Sequence, residues 1–212
     1  ILREYIASGS VDLVYLDPPF NSNRNYNVLF KDESGLDSEA QITAFEDTWH
    51  WNQAAAQTYH ALVTQTGGEV GTMIGAVHTF IGENQMMAYL VMMAARLVEL
   101  HRVLKPTGSL YLHCDPAASH YLKIILDTIF GAENFRNEII WQRTIAKALT
   151  TRKLPDNHDV ILCYQKTDQA FWNNDQAFSP YDESDLPSKT ADKYRHRDEN
   201  GRLYQLDNLI NP

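Results

Sequence analysis

A carboxylate, two prolines and an aromatic ring follow one another at residues 17–20 of this chain. The carboxylate of Asp17 can accept one N–H of an amino group, and the carbonyl of Pro18 can accept the other. Two acceptors favour a pyramidal nitrogen and aim its lone pair at an electrophile, so they act by positioning and electrostatics. Phe20 can stack on a flat ring, and stacking on a base is worth roughly 1–3 kcal/mol. We therefore predict that Asp17, Pro18, Pro19 and Phe20 form a catalytic corner for the exocyclic amino group of a nucleobase.

The corner is placed by the element that precedes it. Residues 11–16 read Val-Asp-Leu-Val-Tyr-Leu, a short and mostly apolar run that is typical of a strand in a parallel sheet. Pro18 and Pro19 prevent the continuation of this strand and of any helix through them. The corner therefore lies just past the carboxyl end of a strand, which is where open α/β sheets bind ligands.

The rest of the chain alternates between helical and extended patterns. We predict helices over residues 38–47, 52–65, 70–81, 85–104 and 117–130, and further strands over 109–114, 137–142 and 159–165. This order predicts an α/β fold, with a mostly parallel sheet and helices on both faces. No helical pattern separates the last two strands, so we expect them to pair antiparallel.

The composition limits the classes of protein to consider. A net charge of −9 argues against a small basic nucleic-acid module, but it allows an enzyme with a local basic face. Cys114 and Cys163 are the only cysteines, which fits a reducing compartment without a disulfide framework. No apolar run reaches the ~18 residues of a membrane span, so we expect a cytoplasmic protein with no membrane partner. The first residue, Ile1, and the last, Pro212, indicate a fragment of a longer protein.

A local basic face is predicted between residues 142 and 154. This stretch has no acidic residue and carries Arg143, Lys147, Arg152 and Lys153. Contact with DNA phosphates and a solvated loop explain the stretch equally well. In a separate polar segment, Asn21 and Tyr26 are candidates for contact with DNA or a cofactor, although turn formation explains that segment as well.

Three possible metal ligands, His113, Cys114 and Asp115, end the predicted strand next to the corner. Neighbouring residues of a strand point to opposite faces, so His113 and Cys114 cannot comfortably bind one ion. We therefore predict no metal site. The alternative function for these three residues is to support the catalytic corner. Trp49 and Trp51 could stack on a base, but tryptophan more often belongs to a core.

Residues 11–21, Val-Asp-Leu-Val-Tyr-Leu-Asp-Pro-Pro-Phe-Asn, resemble the catalytic motif of amino-group DNA methyltransferases, which use S-adenosylmethionine. Residues 102–111, 137–141 and 158–164 resemble further stretches of the same family, in the same order. The resemblance implies a partial Rossmann-like methyltransferase fold. Residues 1–167 would be its catalytic-motif half, and residues 168–212 the start of a target-recognition region or a linker. It also implies double-stranded DNA as the substrate, with Asp17 and Pro18 as partial contacts to the cofactor.

An order with the catalytic motif first resembles the β-class, which includes the modification subunits of type III restriction systems. A restriction subunit is therefore a candidate partner. In that class a Gly-rich cofactor loop, Phe-x-Gly-x-Gly, follows the recognition region, and this sequence contains none. We expect the chain to bind S-adenosylmethionine poorly or not at all by itself, and to be inactive alone.

Several functions stay open beside this one. Family members with Asp at the position of Asp17 mostly methylate adenine N6, and those with Ser mostly cytosine N4, so cytosine N4 is the alternative target. Methylation at cytosine C5 is disfavoured because it needs a cysteine nucleophile, usually after proline, and neither Cys114 nor Cys163 follows one. An NTPase is disfavoured because no P-loop is present. A DNA-binding remnant without catalysis is the alternative of another class.

Overall fold

The computed structural model describes residues 1–19, 25–28, 42–46, 49–143, 157–177 and 194–204, with the backbone alone at 25–28, 42–46, 175 and 177. Two compact units divide the chain, Ile1–Phe171 and Trp172–Pro212. The assignment of the residues after 167 to target recognition stays a prediction.

Helices and strands alternate through the first unit. Its helices are α1 (Leu2–Tyr5), α2 (Gln53–Ala61), α3 (Gly68–Ile81), α4 (Gln85–Val103) and α5 (Pro116–Phe130), with a π-helical turn at Leu62–Thr66 and a 3-10 turn at Ala132–Asn134. Its strands are β1 (Val11–Leu16), β2 (Asn25–Val28), β3 (Ile42–Glu46), β4 (Leu104–Cys114), β5 (Phe135–Gln142) and β6 (His158–Gln165). The second unit contains α6 (Asn174–Ala177), β7 (His196–Arg197) and β8 (Leu203–Tyr204).

Side-chain caps fix where three of the helices begin. The side-chain oxygens of Asn52, Asn84 and Asp115 accept hydrogen bonds from backbone N–H groups in the first turns of α2, α4 and α5. Each cap satisfies a donor that the helix itself leaves free, which is worth about 1 kcal/mol. In the part of the chain that the structure describes, no helix is both long and apolar enough to cross a bilayer.

The main sheet has the strand order β1-β4-β6-β5. The pair β1–β4 is parallel, whereas β4–β6 and β5–β6 are antiparallel. The expected antiparallel pairing of the last two strands is therefore confirmed, but a mostly parallel sheet is wrong for the described strands. Three strands, β1, β4 and β5, run in one direction. The reason for the difference is that β6 inserts between β4 and β5 and runs against both.

The described helices of the first unit cover one face of this sheet. Both crossover connections, β1 to β4 and β4 to β5, step the same way across the sheet, and right-handed crossovers in one direction place their helices on one face. The core against that face contains Val14, Leu110, Leu112, Val160, Leu162 and Tyr164 of the sheet and Leu90, Met93, Leu97, Leu122, Ile125 and Leu126 of α4 and α5. The prediction of helices on both faces is thus wrong for the described residues.

Apolar side chains are exposed on the opposite face, which we call the open face. Tyr15 of β1 is 56% exposed and Trp141 of β5 is 57% exposed. Leu13 and Ile139 on the same face are exposed as well. The registers β1–β4, β4–β6 and β5–β6 place these four side chains on the side away from α4 and α5.

A small hairpin replaces one predicted helix. Residues 38–47 were expected to be helical, but Ile42–Glu46 forms β3, which pairs antiparallel with β2. The sequence Ile-Thr-Ala-Phe-Glu contains two β-branched residues and an aromatic one, which favour a strand once a partner strand is available. That partner, Asn25–Val28, lies in the segment expected to be a polar loop.

Candidate active site

Asp17 follows β1 directly and lies at the carboxyl end of the parallel pair. Leu16 pairs with Leu112, so the next residues along the two strands, Asp17 and His113, are neighbours. Pro18 and Pro19 are half-buried and end the strand, as the sequence predicts. The side chain of Asp17 is 63% exposed, so its carboxylate is open to solvent and to a substrate.

A row of charged and polar side chains leads from Asp17 into the protein. Oδ1 of Asp17 lies 3.0 Å from Nδ1 of His113. On the other side of the imidazole, Nε2 of His113 lies 3.3 Å from Oδ2 of Asp159. Nε of Arg143 lies 3.2 Å from Oδ1 of Asp159. We call these four residues the Asp17–Arg143 network.

Burial changes along the network. The side chain of Asp17 is largely exposed, that of His113 is 16% exposed and that of Asp159 is 3% exposed. Arg143 is partly exposed again. A buried carboxylate is costly unless it is paired, and Asp159 faces both the imidazole and the guanidinium. The network therefore joins an exposed carboxylate to a buried one through the imidazole of His113.

Strand register explains why these side chains meet. His113 of β4 pairs with Ile161 of β6, and Asp159 lies two residues away on the same face, which is the diagonal position of an antiparallel pair. Arg143 follows β5, and its backbone N–H donates to the carbonyl of Asn157, 2.8 Å away, at the base of the β5–β6 hairpin.

The three potential metal ligands at the end of β4 have separate roles. His113 faces Asp17, whereas Cys114 is fully buried on the opposite face, as the alternation of a strand predicts. Asp115 caps α5 by accepting from the backbone N–H of Ala118. Among the described residues, no three His, Cys, Asp or Glu side chains are arranged to hold a metal ion.

Burial makes Cys114 a poor nucleophile. Burial, and then the negative charges of Asp115, Glu138 and Asp159, raise the pKa of its thiol to about 12. Burial also raises the pKa of Cys163. A cysteine acts as a nucleophile chiefly as its thiolate, so the raised pKa makes both thiols poor nucleophiles.

Several contacts join β1 and the segment before it to α4 and β4. Nζ of Lys105 lies 2.8 Å from both carboxylate oxygens of Asp12. The guanidinium of Arg102 donates to the carbonyls of Leu2 and Ile6, which fixes the segment before β1. At Gly108 a Cβ atom would lie 3.0 Å from the carbonyl oxygen of Asp12, so a side chain there would push β1 and β4 apart.

Several predicted site residues lie outside the described part of the chain. Phe20, Asn21, Lys147, Arg152 and Lys153 are among them. Tyr26 belongs to β2, whose backbone alone is described. Arg143 is described, and it contacts Asp159, a partner that the sequence did not indicate.

Trp49 and Trp51 pack against the core rather than forming a free stacking surface. The ring centroids of Trp49 and Tyr89 are 6.1 Å apart, and those of Trp51 and His78 are 5.4 Å apart. These contacts favour the packing interpretation of both tryptophans.

Comparison with known proteins gives one family and several relatives. Residues 11–208 match the family of N6/N4 methyltransferases, described as DNA methylases. The type II methyltransferase M.EcaI of Enterobacter cloacae is 36% identical over 86 residues, which are 41% of this chain and 19% of that protein. The Mod subunit of the type III restriction-modification enzyme StyLTI of Salmonella typhimurium is 24% identical over 160 residues, 76% of this chain and 21% of that subunit.

Another relative is the type II methyltransferase M.KpnI of Klebsiella pneumoniae, which is 33% identical over 87 residues, 41% of this chain and 20% of that protein. The chain thus spans about a fifth of the length of the curated relatives it matches. Among solved structures, a protein described as a DNA modification methylase of Thermus thermophilus aligns with 51% of this chain and 48% of its own, at 17% identity and a TM-score of 0.32. A similarity at that level does not establish a shared fold.

Proposed function

The chain belongs to the DNA methylase family of N6/N4 methyltransferases, and from this membership we propose that it carries the catalytic corner of a site-specific adenine-N6 methyltransferase. The observation that supports the proposal is the exposed carboxylate of Asp17, at the carboxyl end of β1 and directly before Pro18 in the sequence. The family match begins at residue 11 and so includes the whole corner.

The corner can make a weak nucleophile reactive. The lone pair of an aromatic amino group is delocalised into its ring. When Asp17 accepts one N–H and the carbonyl of Pro18 accepts the other, the nitrogen becomes pyramidal and its lone pair points away from both acceptors. The new nitrogen–carbon bond would form as the carbon–sulfur bond of a sulfonium donor breaks and its sulfur leaves as a neutral thioether. The nitrogen would then be positively charged and lose a proton, for which the Asp17 carboxylate is a suitable acceptor.

The methyl donor that the family implies is S-adenosylmethionine, which would supply an electrophilic methyl group on a positively charged sulfur. Asp17 and Pro18 can contact this donor from one side. The sequence contains no Phe-x-Gly-x-Gly stretch, so the residues present do not fit the whole cofactor. We propose that the chain binds the donor poorly alone and that catalysis belongs to the full-length protein.

Two considerations support adenine N6 among the possible targets. Asp at the first position of the motif is what adenine-specific members of the family mostly carry, and Asp17 occupies that position. Methylation at cytosine C5 requires a cysteine nucleophile, and Cys114 is buried with its pKa raised to about 12. Cytosine N4 is the remaining alternative, because its amino group could be held by the same two acceptors.

The proposed substrate is double-stranded DNA with the target base turned out of the helix, since an amino group inside a base pair cannot reach Asp17. Arg143, Lys147, Arg152 and Lys153 are proposed to contact DNA phosphates. One relative is a Mod subunit, and on this ground we propose a restriction subunit as a candidate partner of the full-length protein.

The proposal is tested by methyl transfer in the full-length protein that contains this chain. Methyl-labelled S-adenosylmethionine and unmethylated genomic DNA are incubated with the protein, and the nucleosides are identified by mass spectrometry. We expect N6-methyladenine, and a loss of at least about 10²–10³-fold in rate for Asp17→Ala. Asp12→Ala is the matched control, because Asp12 is an exposed carboxylate of the same strand whose ion pair with Lys105 is worth little.

The other outcomes are equally informative. N4-methylcytosine would move the proposal to the alternative base. Transfer that is unchanged in Asp17→Ala would contradict the catalytic role of the corner. DNA binding without any methyl transfer would favour a DNA-binding remnant.

A further inference from the structure

We propose that His113 is a positioning residue for Asp17, and that Asp159 and Arg143 hold the imidazole in the orientation this requires. The proposal rests on the proposed function, because it concerns the carboxylate that would receive the amino group. It adds two residues, His113 and Asp159, to a site that the motif at residues 11–21 defines without them.

The first step concerns the freedom of Asp17. Its side chain is 63% exposed and lies at the end of a strand, so a carboxylate without a fixed partner would rotate between several orientations. The contact of 3.0 Å between Oδ1 and Nδ1 of His113 fixes one oxygen. The other oxygen, Oδ2, then remains as an acceptor of defined direction. A misplacement of about 1 Å at a reacting centre can cost about 10²-fold in rate.

The second step concerns the imidazole itself. Nε2 of His113 faces Oδ2 of Asp159 at 3.3 Å. Each nitrogen of the ring thus faces a carboxylate oxygen, Oδ1 of Asp17 on one side and Oδ2 of Asp159 on the other. A carboxylate behind an imidazole fixes the orientation of the ring, and Asp159 is itself an anchored group because its side chain is buried.

The third step concerns the anchor. Oδ1 of Asp159 lies 3.2 Å from Nε of Arg143, so each oxygen of this carboxylate faces a nitrogen. Asp17, His113, Asp159 and Arg143 therefore follow one another as a continuous row of polar contacts. Removal of His113 would release Asp17 and would also leave the buried Asp159 without one of its two neighbours.

Two substitutions separate positioning from packing. The side-chain nitrogen of asparagine occupies nearly the place of Nδ1 of histidine, whereas that of glutamine occupies nearly the place of Nε2. His113→Asn can therefore keep the contact with Asp17 and lose the contact with Asp159. His113→Gln can keep the contact with Asp159 and lose the contact with Asp17. Each variant loses the ring, so a role in packing alone would affect both alike.

The experiment measures single-turnover methyl transfer and the dissociation constants for DNA and S-adenosylmethionine in the full-length protein. We expect His113→Ala and His113→Gln to be slower by about 10–100-fold, and His113→Asn to stay within about fivefold of the wild type. Both dissociation constants are expected to stay within about twofold, since the effect concerns orientation. Circular dichroism and thermal unfolding identify any variant that fails to fold.

A second measurement does not depend on activity. In protein labelled with ¹⁵N-histidine, the Nδ1 resonance of His113 is expected to shift on Asp17→Asn and to remain in place on Asp12→Asn. The positioning role is overturned if this resonance does not shift on Asp17→Asn. It is also overturned if His113→Ala transfers methyl groups within twofold of the wild type, or if the Asn and Gln variants are equally slow.

The two proposals fail differently. If Asp17→Ala leaves transfer unchanged, the proposed function is wrong whatever His113 does. If Asp17→Ala abolishes transfer and His113→Ala does not slow it, the proposed function stands and the positioning role is wrong.

Discussion

Each side chain at the end of β4 takes its role from the direction in which it points. His113 meets Asp17 at the edge of the sheet, and Cys114, one residue later, is fully buried in the core. The sequence could predict this separation, because alternation along a strand is local. It could not predict that Asp159 lies behind His113, because that contact depends on the register between β4 and β6, which α5 and β5 separate along the chain.

The two cysteines give a prediction at this scale. Burial raises the pKa of Cys114 to about 12, and burial raises the pKa of Cys163 as well. At pH 8 the folded chain should therefore present almost no thiolate at either position, and 5,5′-dithiobis(2-nitrobenzoate) should label neither cysteine within minutes. After unfolding in urea both should react, since an exposed thiol has a pKa near ~8.5. Rapid labelling of the folded chain would contradict the burial of the thiol concerned.

Helix α5 and strand β6 are joined by a polar contact at the edge of the apolar core. The hydroxyl of Tyr164 donates to Oδ1 of Asp127 at 2.6 Å, and Nζ of Lys123 lies 2.7 Å from the same carboxylate.

Helix α5 and strand β6 were both predicted from the sequence with nearly the observed bounds, because their apolar patterns are long and regular. The prediction of a helix over residues 38–47 failed for the opposite reason. A five-residue strand such as β3 shows little periodicity in its sequence, and it depends on its partner strand, Asn25–Val28.

The contact of Tyr164 predicts how stability depends on pH. Burial, and then the hydrogen bond to Asp127 and its charge, raise the pKa of Tyr164 well above its usual range. A group whose pKa is raised on folding stabilises the folded state below its unfolded pKa, near ~10 for tyrosine, and this contribution falls as the pH rises above that value. The free energy of unfolding should therefore decline between pH 9.5 and 11.

The variant Tyr164→Phe separates this contribution from general alkaline effects. It should lower the free energy of unfolding by about 1–2 kcal/mol at pH 8, because Asp127 loses a donor, and it should flatten the decline above pH 9.5. Tyr5→Phe is the control, because Tyr5 is exposed and such changes usually lie within about 0.5 kcal/mol. Urea unfolding at several pH values measures both effects. If the free energy of unfolding declined equally with pH in the wild type, Tyr164→Phe and Tyr5→Phe, the assignment to Tyr164 would be contradicted.

At the scale of the whole first unit, the described helices lie on one face of the sheet, and the open face exposes side chains of its two edge strands, β1 and β5. The sequence predicted an α/β fold and the strands themselves, but it did not show the order of the strands across the sheet. That order decides on which face the crossover helices lie. The expectation of two covered faces failed for this reason, and Tyr15 and Trp141 are left exposed on the open face.

The open face predicts how the chain behaves when it is produced alone. Exposed apolar side chains on the edge strands of a sheet promote association, so the apparent mass in sedimentation velocity should rise with concentration. Tyr15→Lys combined with Trp141→Lys should reduce this rise. Trp172→Lys is a matched control, because Trp172 is 61% exposed and belongs to the second unit. An equal effect of the control, or no effect of the double variant, would show that the open face is not responsible.

The reversed direction of β6 has a consequence for how this protein could diversify. Because β6 runs against β1 and β4, it brings its beginning, Asp159, to the edge where they bring their ends. The hydrogen bond between Arg143 and Asn157 closes the hairpin base at that edge, so the segment between these two residues begins and ends there. Closing a longer loop costs little, about 0.6 kcal/mol for each doubling of its length. Insertions or exchanges in this segment could therefore accumulate during evolution without moving Asp159, so the edge that holds Asp17 and Asp159 also offers a place for variation.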